Sequence, residues 1–337
     1  MRLSAYSPKS ADAPTGLTGN PARDLARSFN VRVIIFLSLH IPLAMAMELS
    51  PWVATIHAAL VTLYGLRAAI LGRPSQVVYA VAYIGAAEVL WRMSQAYLFW
   101  EYAKYALILV VFVAIVVELR QGGEERRLRH VSPLLLLLAL VPGAVIVILE
   151  VGVGGARDAL SFNLSAYAAT GMLALYLWAR PINRDTTVRL LLAIMAPVVA
   201  ITFLAVYFTL TDLDSLDFVG ASNWVTSGNY GPNQVANMMG FGALAGVMLF
   251  TLLPRSRGAR GFVLLMTMAM LGQGLLTFSR GGIYSFVLAL AVFGLHLMNT
   301  PRARGRLLLS AGLFGVILIA GIFPLLGDFR GGAVSVR

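Results

Sequence analysis

The stretch LLLAIMAPVVAITFLAVYFTLT, residues 190–211, runs for twenty-two residues without one Asp, Glu, Lys, Arg or His. As a helix rising about 1.5 Å per residue it reaches roughly 33 Å, enough to cross the hydrocarbon core of a bilayer. Arg184 and Arg189 precede it and Asp212 and Asp214 follow it, so polar groups bracket the run. Ten further apolar runs, set apart by polar or Pro/Gly punctuation, lie near 31–49, 52–71, 76–92, 101–118, 132–150, 163–179, 234–253, 262–278, 282–298 and 307–326. The expectation is an all-α polytopic membrane protein of about eleven transmembrane helices, with a polar, disordered cytoplasmic tail over 1–27 and a transmembrane domain over 28–337.

Composition agrees. Of the 337 residues 59% are hydrophobic and 12% charged, and the mean hydropathy is +0.80, too apolar for a water-soluble surface. The net charge of +11 would suggest nucleic acid in a soluble protein. Here the arginines fall in alternate loops instead. One set holds Arg23, Arg27 and Arg32; Arg67 and Arg73; Arg120, Arg126, Arg127 and Arg129; Arg180, Arg184 and Arg189; Arg255, Arg257 and Arg260; and Arg302, Arg304 and Arg306. The other loops hold Asp, Asn, Gly and aromatic residues. By the positive-inside rule the arginine-rich set is cytoplasmic. That places the N-terminus in the cytoplasm and the C-terminus outside, with a lipid bilayer and no nucleic acid as partner.

With no cysteine in the chain, disulfides and thiolate chemistry are excluded. His40, His57, His130 and His296 show no metal-ligand spacing, and Walker, dinucleotide, HExxH and GxSxG motifs are absent. No metal or other cofactor is expected.

Several residues stand out against this background. Arg280, in GLLTFSRGGIYSF, sits between two apolar runs with almost no loop. A guanidinium there either snorkels to lipid headgroups or binds an anion, and its planar fork matches a phosphate. Gly281 and Gly282 would let a bulky anion approach the backbone at the start of a helix. The external segment DLDSLDFVGASNWVTSGNYGPNQ, 212–234, mixes carboxylates, amides and aromatic rings. It reads either as a solvated loop or as a glycan-binding surface, with Trp224, Asn229, Tyr230, Asn233 and Gln234 as the candidates. Glu88 and Arg92, four apart, suit mutual neutralisation on one helix face. His40 and His57 suit interhelical hydrogen bonds rather than a proton relay. Gly242 and Gly246, with Gly240 beside them, suit close helix packing.

The segments SGNYGPNQVANMMGFGALAG at 227–246 and LLTFSRGG at 275–282 resemble the bacterial O-antigen ligase and polymerase family. LSFNLSAYAATGMLALYLWA at 160–179 and GDFRGGAVSVR at 327–337 are similar to it as well, so the resemblance covers 160–337. It implies a glycosyltransferase that moves a glycan from undecaprenyl diphosphate to a sugar, lipid A core or protein acceptor at the periplasmic face of the inner membrane, in cell-surface polysaccharide biosynthesis. It also implies Arg280 as a ligand of the donor diphosphate, with Arg337 and Arg330 as weaker matches. The family's acceptor-activating histidine belongs to a periplasmic loop and further span expected beyond Arg337, and no catalytic residue is assigned. The rival readings are a transporter or flippase for a lipid-linked solute and a non-catalytic partner in a polysaccharide assembly complex.

Overall fold

In the computed structural model, which describes residues 21–121, 131–178, 180–213, 222–253 and 257–298, the run at 190–211 lies at the centre. It belongs to a helix, Arg184–Thr211, whose most apolar window is 78% buried inside the protein. The Asn183 side chain caps this helix by accepting from the Thr186 amide at 2.8 Å. In chain order the helices are α1 (Pro21–Ser38), α2 (His40–Leu49), α3 (Pro51–Ile70), α4 (Pro74–Met93), α5 (Tyr102–Arg120), α6 (Val131–Leu177), α7 (Arg184–Thr211), α8 (Pro232–Leu252), α9 (Arg257–Leu276) and α10 (Arg280–Met298). The described residues contain no strand. Because α1 begins at Pro21, residues 21–27 are helical, a correction to the tail expected over 1–27.

Prolines and glycines set the boundaries. Pro51, Pro74 and Pro232 open α3, α4 and α8, where a missing N–H costs nothing. Pro42 cannot donate to the carbonyl of Ser38, and the helix is interrupted at Leu39, separating α1 from α2. Gly152 breaks α6 with φ 72°. A Cβ on Gly171 would lie 2.6 Å from the Leu137 side chain, whereas a continuous helix would hold positions 137 and 171 about 50 Å apart. The two halves of α6 therefore fold back on one another as a hairpin.

Among the described residues, seven helices are long and apolar enough to cross a membrane: Phe29–Leu49, which joins α1 and α2, Pro51–Ile70, Tyr102–Arg120, Leu135–Leu177, Arg184–Thr211, Pro232–Leu252 and Gly258–Leu276. Of the eleven expected runs, the first ten coincide with a helix or a half of α6, and 307–326 lies outside the described residues. α4, a continuous helix that carries Glu88 and Arg92, and the shorter apolar helix Arg280–His296 complete the described bundle.

Two apolar cores share α4. The larger surrounds α7, packing Met195, Ile201 and Leu204 against Leu37, Met47, Leu90, Met239, Leu249 and Met270. The smaller joins α3, α4, α5 and the second half of α6 through Ala58, Ile84, Trp91, Val110, Val111 and Tyr176. α8 brings three neighbours close through glycines. A Cβ on Gly242 would stand 2.5 Å from Val198 of α7, one on Gly240 2.9 Å from the Gly282 carbonyl of α10, and one on Gly246 would collide with Thr267 of α9.

Side-chain bonds sort the helix ends into two groups. At one end Tyr97 N donates to Thr55 Oγ1 (2.8 Å), Tyr105 to Ser161 (3.0 Å), Arg92 to Gln234 (3.4 Å) and Ser279 to Asn233 (2.7 Å). At the other, Arg180 pairs with Glu118 at 2.8 Å and Arg184 reaches the Leu252 carbonyl. The first group holds the arginine-poor loops, so the alternation read from the charges is also an alternation in space.

Candidate functional site

The arginine-poor end is organised by residues 222–231, which turn back into the mouth of the bundle. Asn223 caps a short 3-10 turn, Val225–Ser227, by accepting from the Thr226 amide at 3.1 Å. Thr226 and Ser227 have no exposed surface. Gln273 of α9 holds the turn from below, donating to the Thr226 carbonyl at 2.7 Å and to Thr209 of α7 at 2.8 Å. Gly228 takes φ 67°, a left-handed conformation that glycine adopts without strain, and a Cβ there would displace the Met93 methyl group, 2.5 Å away.

This plug delivers the predicted polar residues. Asn229, also left-handed at φ 55°, is exposed, and Trp224 is 60% exposed. Tyr230 donates to Gln234 at 3.2 Å, and its ring lies 6.5 Å from that of Trp100. Burial pushes the Tyr230 phenol above the usual tyrosine range, and the Arg92 guanidinium beside it offsets part of that rise. Asn233 accepts from Ser279, immediately before Arg280.

Arg280 is the first residue of α10, exposed, and makes no hydrogen bond or ion pair among the described residues. Gly281 next to it is open: the nearest atom a Cβ there would meet is Asn237 Oδ1, at 3.9 Å. Gly282 faces the other way: it is buried, and a Cβ would overlap the backbone of Ala236 in α8. Gly282 thus serves helix packing, and the approach to the α10 amides lies over Arg280 and Gly281. Arg330 and Arg337 lie outside the described residues.

The four charges beside this surface, Glu88, Arg92, Glu101 and Lys104, form a neutral set. Arg92 pairs with Glu88, donates from Nε to the Trp100 carbonyl at 3.2 Å and from Nη1 to Gln234 at 3.4 Å, and stacks 4.2 Å over the Trp100 ring. Glu101 takes Lys104 and Ser165, the latter at 3.2 Å, and lies 3.7 Å from Arg92. Two carboxylates and two cations sum to zero, and the Arg92 donors are engaged internally. The pairing of Glu88 with Arg92 follows from their spacing; the arrival of Glu101 and Lys104 was missed, although a second charged pair three residues apart across a short aromatic loop was its signal.

The two histidines meet through a tyrosine. His40 and His57 each place Nε2 on the Tyr83 hydroxyl, at 2.9 and 3.1 Å. Trp91 Nε1 donates to His57 Nδ1 at 3.0 Å, and His40 Nδ1 lies 2.8 Å from the Phe36 carbonyl. An indole N–H only donates and a carbonyl only accepts. With both imidazoles neutral, His57 therefore carries its proton on Nε2 and His40 on Nδ1. The chain has one direction: Trp91 to His57, His57 to Tyr83, Tyr83 to His40, His40 to Phe36.

Comparison with family models, with curated proteins and with solved structures gives no match.

Proposed function

We propose that the protein is a membrane glycosyltransferase of the O-antigen ligase and polymerase type, transferring a glycan from undecaprenyl diphosphate to an acceptor at the periplasmic face, with about eleven crossings and the N-terminus in the cytoplasm. The observation that carries this reading is Arg280, an exposed cation with no partner among the described residues, at the first position of α10 and next to the Asn233–Ser279 bond. As the glycosidic bond breaks, negative charge grows on the leaving diphosphate. A guanidinium beside the free amides of a helix start stabilises that charge without a metal. Arg92 is unsuited to the task because its donors are already engaged. Asn229, Tyr230 and Gln234 line the adjoining surface, with hydrogen-bonding groups and a ring suited to sugar. The periplasmic assignment of this end rests on the arginines of the opposite loops.

The test is glycan transfer in cells lacking the native gene and supplied with variants of the full chain. Arg280→Ala should abolish transfer at unchanged membrane level, and Arg280→Lys should restore little, since an ammonium lacks the bidentate fork. Normal glycan in both variants would refute the reading. In the rival transporter reading Arg280 and Glu88 would line a path through the bundle, and the same variants would leave lipid-linked glycan trapped on the cytoplasmic leaflet.

A further inference from the structure

A pocket of about 170 Å³ opens between α4, α5 and the second half of α6. Its floor is Ala103, Leu107 and Ala169, all buried. Gly85 and Ala166 on its rim are exposed, so it opens outward between the helices. Among the described residues that line it, Glu88 and Lys104 carry the charge. They stand 3.7 Å apart, Nζ to Oε1, and each side chain keeps 19% of its surface exposed.

Three features define an occupant. The floor is apolar, so most of what fills it is hydrocarbon. In a chain that crosses a membrane, the molecule reaching an outward opening between helices is a lipid. The head must then satisfy one cation and one anion side by side. Lys104 places one of its three donors on Glu101 and retains capacity for a phosphate. Since Glu88, Arg92, Glu101 and Lys104 sum to zero, a net anion gains no long-range attraction, whereas a head that itself carries ammonium and phosphate finds both complements. Gly85 adds an independent sign: glycine within a helix costs about 1 kcal/mol relative to alanine, yet a Cβ there would meet nothing within 4 Å. Its absent side chain accommodates no neighbouring helix and leaves the opening clear.

We infer that this pocket binds one zwitterionic glycerophospholipid of the phosphatidylethanolamine class. Its phosphate lies on Lys104, its ammonium on Glu88, and an acyl chain along Ala103, Leu107 and Ala169. The inference does not depend on the glycosyltransferase reading.

The full chain, purified in detergent and delipidated, would be titrated with phosphatidylethanolamine and phosphatidylglycerol of the same acyl chains, and bound lipid counted by native mass spectrometry. One phosphatidylethanolamine should be retained at least tenfold more strongly than phosphatidylglycerol. Gly85→Leu, which fills the opening, should lose that adduct while its lipid-free melting temperature stays at the parent value. Equal retention of the two lipids, preference for the anionic one, no retained lipid, or an undiminished adduct in Gly85→Leu would each overturn the inference. The lipid ranking on the parent chain decides the matter even if the variant folds poorly.

Discussion

Ser279 Oγ donates to Asn233 Oδ1 across 2.7 Å, binding the residue before Arg280 to the second residue of α8. The bond joins two segments far apart in sequence, 227–246 and 275–282. Asn233→Ala and Ser279→Ala should each cost about 1 kcal/mol of stability and, on the proposed glycosyltransferase reading, lower glycan transfer several-fold by loosening Arg280. The double variant should lose no more than either single one, a coupling readable in a double-mutant cycle. Additive losses would mean that the bond does not position Arg280.

Gly281 and Gly282 are neighbours with opposite demands. Gly282→Ala drives a methyl group into the Ala236 backbone and should destabilise by about 1–3 kcal/mol. Gly281→Ala has room and should be neutral, or stabilising by up to about 1 kcal/mol through helix propensity. Thermal unfolding in detergent separates the two, and equal effects would contradict the packing.

Tyr83→Phe removes the hydroxyl that serves both histidines. His40 Nε2 loses its donor and His57 Nε2–H its acceptor, two interior polar groups stranded at once. The expected loss is about 2–4 kcal/mol, with His40→Phe less damaging because it strands fewer groups. Nitrogen NMR of labelled imidazoles should show His57 protonated on Nε2 and His40 on Nδ1; the reverse tautomers would break the assigned direction.

The Tyr230 phenol is raised above its ordinary value of about 10, so the fold favours its neutral form. The stability this group contributes is full below pH about 10 and is lost as pH climbs past that point. The stability difference between the parent and Tyr230→Phe should therefore be constant from pH 7 to 9 and shift against the parent toward pH 11. Melting curves across that range provide the check, and a flat difference would show that the phenol is not shielded.

Much of the bundle was legible because a membrane asks for long apolar runs, and 190–211 has one that no other fold needs. Helix starts at Pro51, Pro74 and Pro232 were legible for the same local reason. The hairpin within α6 could be anticipated from two runs separated by glycines, though nothing in the sequence says that Leu137 meets Gly171. Arg280 was visible as an isolated cation. The role of Gly282 was not, because two adjacent glycines look alike until the direction of each Cβ is known. Nor could the chain reveal that Arg92 is engaged by Trp100 and Gln234, a partner 142 residues away. Local spacing exposes a pair such as Glu88 and Arg92; who else arrives depends on which helix ends meet.

The hydrogen-bonded line from Trp91 to Phe36 bears on the energy economy of the cell that makes this protein. A row of imidazoles and a phenol inside a bundle is the material from which proton pathways are built, and a membrane that holds a proton gradient is discharged by any protein that leaks it. Here the first link is an indole and the last a peptide carbonyl, neither of which trades protons with water. The described hydrogen bonds therefore give a proton no onward relay at either end, and the row serves as a fixed tie joining α1, α2, α3 and α4.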